Sequence, residues 1–207
     1  MPELPFAPSG LDRVYRVGRF GAAREDGPGI ALTERRGVAV VQVAAWDGDA
    51  EALRHRLAGA LAMDVPGEPN RAVRQGAKTV IWGGPARWLV LRAGTHGWDL
   101  AARLRRDLGE ANAAVVDVSQ GRRIVRIEGP DTRRLLAKGC AVDLDPAATP
   151  AGHAVLAPIG HVASTIHLVD DTPTADVMVA RSMVVSFWEW LTDNAREHGY
   201  SVRDPIG

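Results

Sequence analysis

Cys140 is the only cysteine in the 207-residue chain and its first candidate nucleophile. It follows Lys138 and Gly139 at the end of a short helical pattern. The carbonyl end of a helix disfavours a thiolate, Lys138 works in the opposite direction, and no histidine lies near in sequence, so it reads as a structural cysteine. Asp143 and Asp145 flank Leu144. On an extended segment they point to opposite faces, which suits a turn or a salt-bridge pair better than a general acid and base. The six histidines are His55, His96, His153, His161, His167 and His198, and none forms the H-x-H or H-E-x-x-H spacing that holds a metal. His161 and His167 share strand parity, yet six residues of strand put them ~20 Å apart. Ser119 has Asp117 close by, but no base is placed beside it. G-P-G (27–29) is too rich in proline for a phosphate cradle, and I-W-G-G-P (81–85) reads as a turn, because it is followed by a strand and not by a helix. No P-loop or G-x-S-x-G is present. The linear sequence shows no catalytic constellation.

Two elements position these residues. Gly129–Pro146, G-P-D-T-R-R-L-L-A-K-G-C-A-V-D-L-D-P, reads as a short helix with marked ends. Gly129 is the candidate cap, Pro130 the first helical position, and Asp131 favours the start of the dipole. Leu135 and Leu136 form its buried face, and Gly139 is expected to end it in the left-handed conformation. The second element is a terminal helix over 182–197, with Ser182 as its cap. Its apolar arc is about twice the ~100° needed to sit on one sheet. Trp188 and Trp190 project about 200° apart, so one can enter the core while the other lies at the edge of the stripe, where an aromatic can meet another subunit.

The rest of the chain reads in order. Residues 1–29, rich in proline and glycine, read as an arm with little regular structure. Val38–Ala45 is a buried strand, and Asp47 or Asp49 caps a helix with Leu53, Leu57, Ala60 and Leu61 on one face. Lys78–Trp82 and Trp88–Arg92 form a hairpin. Leu100, Leu104 and Leu108 mark a second helix, and Ala114–Val118 another strand. The order then restarts: a strand at Arg123–Glu128, the short helix, strands at His153–Pro158, His161–Val169 and Asp176–Arg181, and the terminal helix. This predicts an α+β fold of two ferredoxin-like units with antiparallel sheets. The expected division is an arm at 1–30 and a single compact domain at 31–207, made of halves 31–119 and 120–207.

Composition bounds the class. Apolar residues are 46% and charged residues 24% of the chain, and 25 basic side chains balance 25 acidic ones. That balance points away from nucleic acid and offers little repulsion between molecules, which favours association. One cysteine makes no internal disulfide. No apolar run reaches the ~18 residues of a membrane span, and the N-terminus lacks a secretory pattern, so no membrane and a cytoplasmic location are expected.

The Gly129–Pro146 motif, followed by R-S-x4-F-W-x-W-L (181–191), resembles the gamma subunit of heterotetrameric sarcosine oxidase, itself distantly similar to the folate-binding aminomethyltransferase domain. The resemblance covers Ala114–Tyr200, is looser over Val38–Leu108 and is absent from the N-terminal segment. It implies a non-catalytic subunit with a structural or assembly role. Its partners would be alpha, beta and delta subunits, and it would bind no cofactor or metal itself. FAD, FMN, NAD, tetrahydrofolate and zinc would sit on the other subunits, and the complex would demethylate sarcosine to glycine with one-carbon transfer to tetrahydrofolate. The residues of the family motif and suspected interface are Gly129, Pro130, Lys138, Gly139, Cys140, Asp143, Arg181, Ser182, Trp188 and Trp190. The alternatives are a stand-alone folate-binding aminomethyltransferase-like protein, or the gamma subunit of a related complex oxidising dimethylglycine or N-methylglutamate.

Overall fold

The segment before residue 30 carries more structure than its composition predicts. In the computed structural model, which describes residues 9–46, 49–109 and 113–207, it forms β1 (Gly18–Phe20) and runs into β2 (Ile30–Arg35). Leu11 is fully buried in the core. Ser9 hydrogen-bonds the buried Glu34 carboxylate, and the Tyr15 hydroxyl accepts the Glu34 N–H at 3.0 Å and donates to the Arg203 carbonyl at 2.6 Å. The described part of the expected arm is therefore a packed strap, because its apolar and hydroxyl side chains have partners the sequence did not reveal. Residues 1–8 and Asp47 lie outside the described residues.

The chain divides into two compact units, one built on Gly37–Gln120 and the other on the strap, up to Arg36, together with Gly121–Ile206. The boundary near 120 is where the sequence pattern restarts, but residues 31–36 belong with the second half and not the first.

The first unit contains β3 (Val38–Ala45), α1 (Ala50–Leu61), β4 (Ala72–Gln75), β5 (Lys78–Gly84), β6 (Arg87–Ala93), α2 (Gly97–Leu108) and β7 (Ala113–Asp117). Its antiparallel sheet has the order β4-β5-β6-β3-β7. Without the extra edge strand β4, this is the ferredoxin-like order. Asp49 caps α1 by accepting the N–H groups of Glu51 and Ala52, each at 3.0 Å. Leu53, Leu57, Leu61, Leu100, Leu104 and Leu108 then pack on Val41, Val43, Val80 and Val90 of the sheet, the helical spacing of the leucines having set the buried faces.

The second unit adds β8 (Arg122–Glu128), α3 (Thr132–Ala137), β9 (Ala154–Ile159), β10 (Val162–Asp170), β11 (Thr174–Ala180), α4 (Val184–Ala195) and β12 (Tyr200–Val202). The sheet order is β1-β12-β2-β8-β11-β10-β9. All pairs are antiparallel except β12 with β2, which are parallel. In a simple ferredoxin-like unit the strand after the second helix would lie beside β8. Here β2 occupies that place, and β12 lies on its far side. The core gathers Leu135 and Leu136 of α3, Phe187, Trp188 and Leu191 of α4, and Val125, Ile127, Ile166 and Val177 of the sheet.

Candidate functional site

The motif corner begins where β8 ends. Gly129 has φ +120°, and a Cβ there would collide with the Gly29 carbonyl. Only glycine fits this backbone and this approach. The helix starts later than the sequence implied. Asp131 stands at the cap position, Pro130 precedes it, and α3 runs from Thr132. Asp131 makes no side-chain capping bond. Its buried carboxylate meets Arg24 of the strap at 2.7 Å and Arg134 at 3.3 Å. The corner is thus tied to the N-terminal segment by an ion pair that linear reading missed.

At the other end of α3 the structure corrects the role of Gly139, which does not adopt a positive φ. The glycine is required by close approach: a Cβ would run into the Trp190 ring and would lie 2.8 Å from the Gly160 nitrogen. Gly160 in the β9–β10 turn donates its N–H to the Gly139 carbonyl at 2.8 Å. The two family motifs therefore meet here, with the Trp190 ring lying against the Gly139–Gly160 backbone. Gly139→Ala is expected to lower stability by ~1–3 kcal/mol through overpacking. A urea titration followed by tryptophan fluorescence checks this, and an unchanged midpoint would mean the ring is not pinned there.

Lys138 donates to the Asn194 carbonyl at 2.8 Å and pairs with Glu197. A cation at the C-terminal end of α4 suits the dipole. A hydrogen bond from Lys138 to Glu197 itself, together with the Lys138 charge, holds the Glu197 carboxyl below its ordinary range. Cys140 is buried in the core, with its N–H on the Leu136 carbonyl at 3.0 Å. The segment that follows is not extended. Asp143 accepts the Asp145 N–H, and Asp145 accepts the Ala147 N–H, each at 2.9 Å. Both aspartates build turns by this means. Arg133 clamps the loop, donating to the Leu144 carbonyl at 2.5 Å and the Thr149 carbonyl at 2.8 Å. Sequence reasoning passed over Arg133, whose only signal was its place on the motif helix, six residues before Gly139.

Of the remaining motif residues, Trp188 points inward at 4% exposure and packs against Tyr15, with ring centroids 4.9 Å apart and the planes tilted by 30°. Trp190 is half-buried. Ser182 is exposed and makes no capping bond. It stands with Arg181 in a 3₁₀ turn before α4, ~18 Å of helix from the Lys138 contact. His161 lies in the β9–β10 turn, and only His167 is on the strand. The Ser119 hydroxyl donates to Asp117 at 2.5 Å and accepts the Val40 N–H at 2.9 Å, which makes it part of a turn. Among the described residues no three metal-ligating side chains gather in one place. The large apolar side chains that do face solvent are elsewhere: Trp46 is 73% and Trp98 64% exposed, the latter stacked on His96 at 5.7 Å.

Comparison with known proteins places this geometry. A curated sarcosine oxidase gamma subunit from Corynebacterium sp. (strain P-1) is 36% identical over 69 residues, 33% of this chain and 33% of that protein. One from Arthrobacter sp. is 29% identical over 107 residues, 51% of this chain and 52% of that protein. The aligned stretches thus span a third to about half of these relatives. Among solved structures, the heterotetrameric sarcosine oxidase from Corynebacterium sp. U-96 in complex with pyrrole 2-carboxylate has a chain of the same fold. Its TM-score is 0.81 at 19% identity, covering 93% of this chain and 96% of that one. The glycine cleavage system aminomethyltransferase T from Bartonella henselae matches with a TM-score of 0.61 at 12% identity, over 86% of this chain and 48% of that one. The family model described as "Sarcosine oxidase, gamma subunit family" matches residues 45–197, which include both motifs. This chain belongs to the sarcosine oxidase gamma subunit family.

Proposed function

We propose that this chain is the non-catalytic gamma subunit of a heterotetrameric, flavin-dependent sarcosine oxidase complex and acts in its assembly. Its partners are the alpha, beta and delta subunits, which carry FAD, FMN, NAD, tetrahydrofolate and zinc, and the complex works in the cytoplasm. Removing hydride from an N-methyl amine needs a two-electron acceptor, which a flavin supplies and protein side chains do not. The one-carbon unit released from sarcosine then passes to tetrahydrofolate on a partner.

The observation that carries this reading is an inversion. The motif residues that looked most chemical are engaged in internal packing: Gly139 under Trp190, Lys138 on the end of α4, Cys140 in the core. Two tryptophans outside the motifs are mostly exposed. Tryptophan is enriched where subunits meet, and exposed large aromatics call for an explanation.

A tagged pull-down from the native host, with a visible spectrum of the eluate, tests the assignment. A yellow complex with three further chains is expected, and a colourless lone chain would overturn it. Trp46→Ala and Trp98→Ala should weaken co-purification while moving the melting temperature little, since exposed substitutions stay within ~0.5 kcal/mol. Full retention of the partners by both variants would remove these residues from the interface.

A further inference from the structure

Among the described residues the two sheets end in four edge strands, β4 and β7 in the first unit and β1 and β9 in the second. An exposed edge offers unpaired N–H and C=O groups, and proteins blunt such edges with charge, shortness or a cover. Three of the four are blunted. β1 is three residues long and carries the exposed Arg19, and β4 is four residues long and carries the exposed Arg74. On β7 the ladder turns the Val115 carbonyl away from β3. That carbonyl accepts from Arg105 of α2 at 2.6 Å, and the charged Asp117 ends the strand.

β9 is the exception. It reads A-V-L-A-P-I, six residues without a charged or polar side chain. The Leu168 N–H on the His153 carbonyl sets the phase of its bonds to β10. Val155, Ala157 and Ile159 face β10, while Leu156 and Pro158 turn their backbone groups outward. A proline is tolerated there because the ladder asks for no N–H at that position. The open groups are thus the N–H and C=O of Leu156 and the C=O of Pro158. Ala154 turns the same way but is fully buried, and past the strand the Gly160 N–H is taken by the Gly139 carbonyl. The open edge is therefore short and bounded at both ends. Its two faces are apolar: Leu156, 45% exposed, stands on one, and Ala157, half-buried against the core, on the other.

We infer that the open edge of β9 pairs with a short, uncharged extended segment of a partner subunit, which adds to the sheet through Leu156 and Pro158. A charged segment would lose its water here without gaining a counter-charge, so the edge selects an apolar one. Pairing with a second copy across a two-fold axis leaves one carbonyl of each edge unanswered. The group opposite is then Pro158, which has no N–H, or Ala154, which is buried. A partner strand with an N–H at each position answers all the open groups. The inference rests on the assembly role proposed above and adds the place and the chemistry of one contact.

The test uses the tagged chain in its native host. Leu156→Lys should cut recovery of the partners at least about tenfold, since an unpaired charge would be buried against an apolar strand. Its melting temperature should stay that of the parent. Val116→Lys, at an equally exposed position on the blunted β7 edge, should keep the partners. Hydrogen exchange of the parent, free and assembled, should show new protection in the peptide covering β9, where Leu156 supplies the open amide. If Leu156→Lys does not fold, that exchange comparison decides. A parent chain recovered alone would overturn the assembly role and this inference with it. Parental recovery of partners by Leu156→Lys, or unchanged β9 exchange on assembly, would overturn the edge assignment alone. A free chain that dimerises, and that Leu156→Lys returns to monomer, would overturn the choice of occupant by giving the edge to a second copy.

Discussion

Trp188→Ala is expected to destabilise the second unit by about 3–5 kcal/mol, the usual loss for a large aromatic removed from a core. The indole is 4% exposed, lies among Phe187, Leu191 and the sheet, and packs against the tilted ring of Tyr15. Tyr15 in turn bridges the Glu34 N–H and the Arg203 carbonyl, so the truncation leaves a cavity and also loosens the strap. For a chain of this size the loss corresponds to a fall in melting temperature of roughly 6–20 °C. Trp190→Ala should cost less, because that ring is half-buried and lies on glycine backbone rather than in the core. Thermal melts of the two variants, read beside co-purification, separate core from interface. A Trp188→Ala chain that melts normally but loses its partners would return that residue to the interface.

These two tryptophans show how far a single sequence reaches. Helical spacing put both on one broad apolar stripe and separated an inward from an edge position. What it could not supply was the neighbour. Gly139 looked like a helix terminator because glycine after a lysine commonly is one. Its actual reason, the Trp190 ring, lies some fifty residues later and is visible only in three dimensions. The strands Val38–Ala45 and Arg122–Glu128 were legible from apolar content and alternation. β2 was not, because I-A-L-T-E-R carries a buried Thr33 and Glu34, and the remote partners of Glu34 are invisible in the linear pattern: Ser9 for the carboxylate and Tyr15 for the backbone. β4, four residues of A-V-R-Q, is too short for a period-2 pattern to register.

Asp176→Asn is the second large effect expected. Arg126 grips the Asp176 carboxylate with two bonds, at 2.8 and 3.0 Å, and Arg35 adds a third at 2.7 Å. The carboxylate is only 8% exposed, and it ties β2, β8 and β11 together. Removing its charge leaves two guanidiniums side by side without it, at a cost of about 3 kcal/mol. Burial alone would raise this carboxyl. The hydrogen bond from Arg126 and the charges of Arg35, Arg126 and His167 outweigh burial and hold it below its ordinary value. A depressed folded value means that the contribution is fully present above the unfolded pKa of ~3.9 and is lost as pH falls through the lower folded one. Wild-type stability should therefore decline below about pH 4, and Asp176→Asn should show a flatter acid limb. Identical acid limbs in chemical denaturation across that range would show that the cluster does not govern acid stability.

The strand order of the second unit sets a timetable for biosynthesis. β2 pairs with β8 on one side and with β12 on the other, so a strand made early waits for one made late. The first unit is continuous from Gly37 to Gln120 and can fold as soon as it clears the ribosome. Between Ile30 and its partner Tyr200 the nascent chain needs on the order of ten seconds or more at ~5–20 residues per second. Throughout that interval one edge of β2 offers unpaired N–H and C=O groups, the kind of edge that recruits foreign strands. Translation speed and chaperone supply, rather than native stability, would then govern the yield of correctly folded chain.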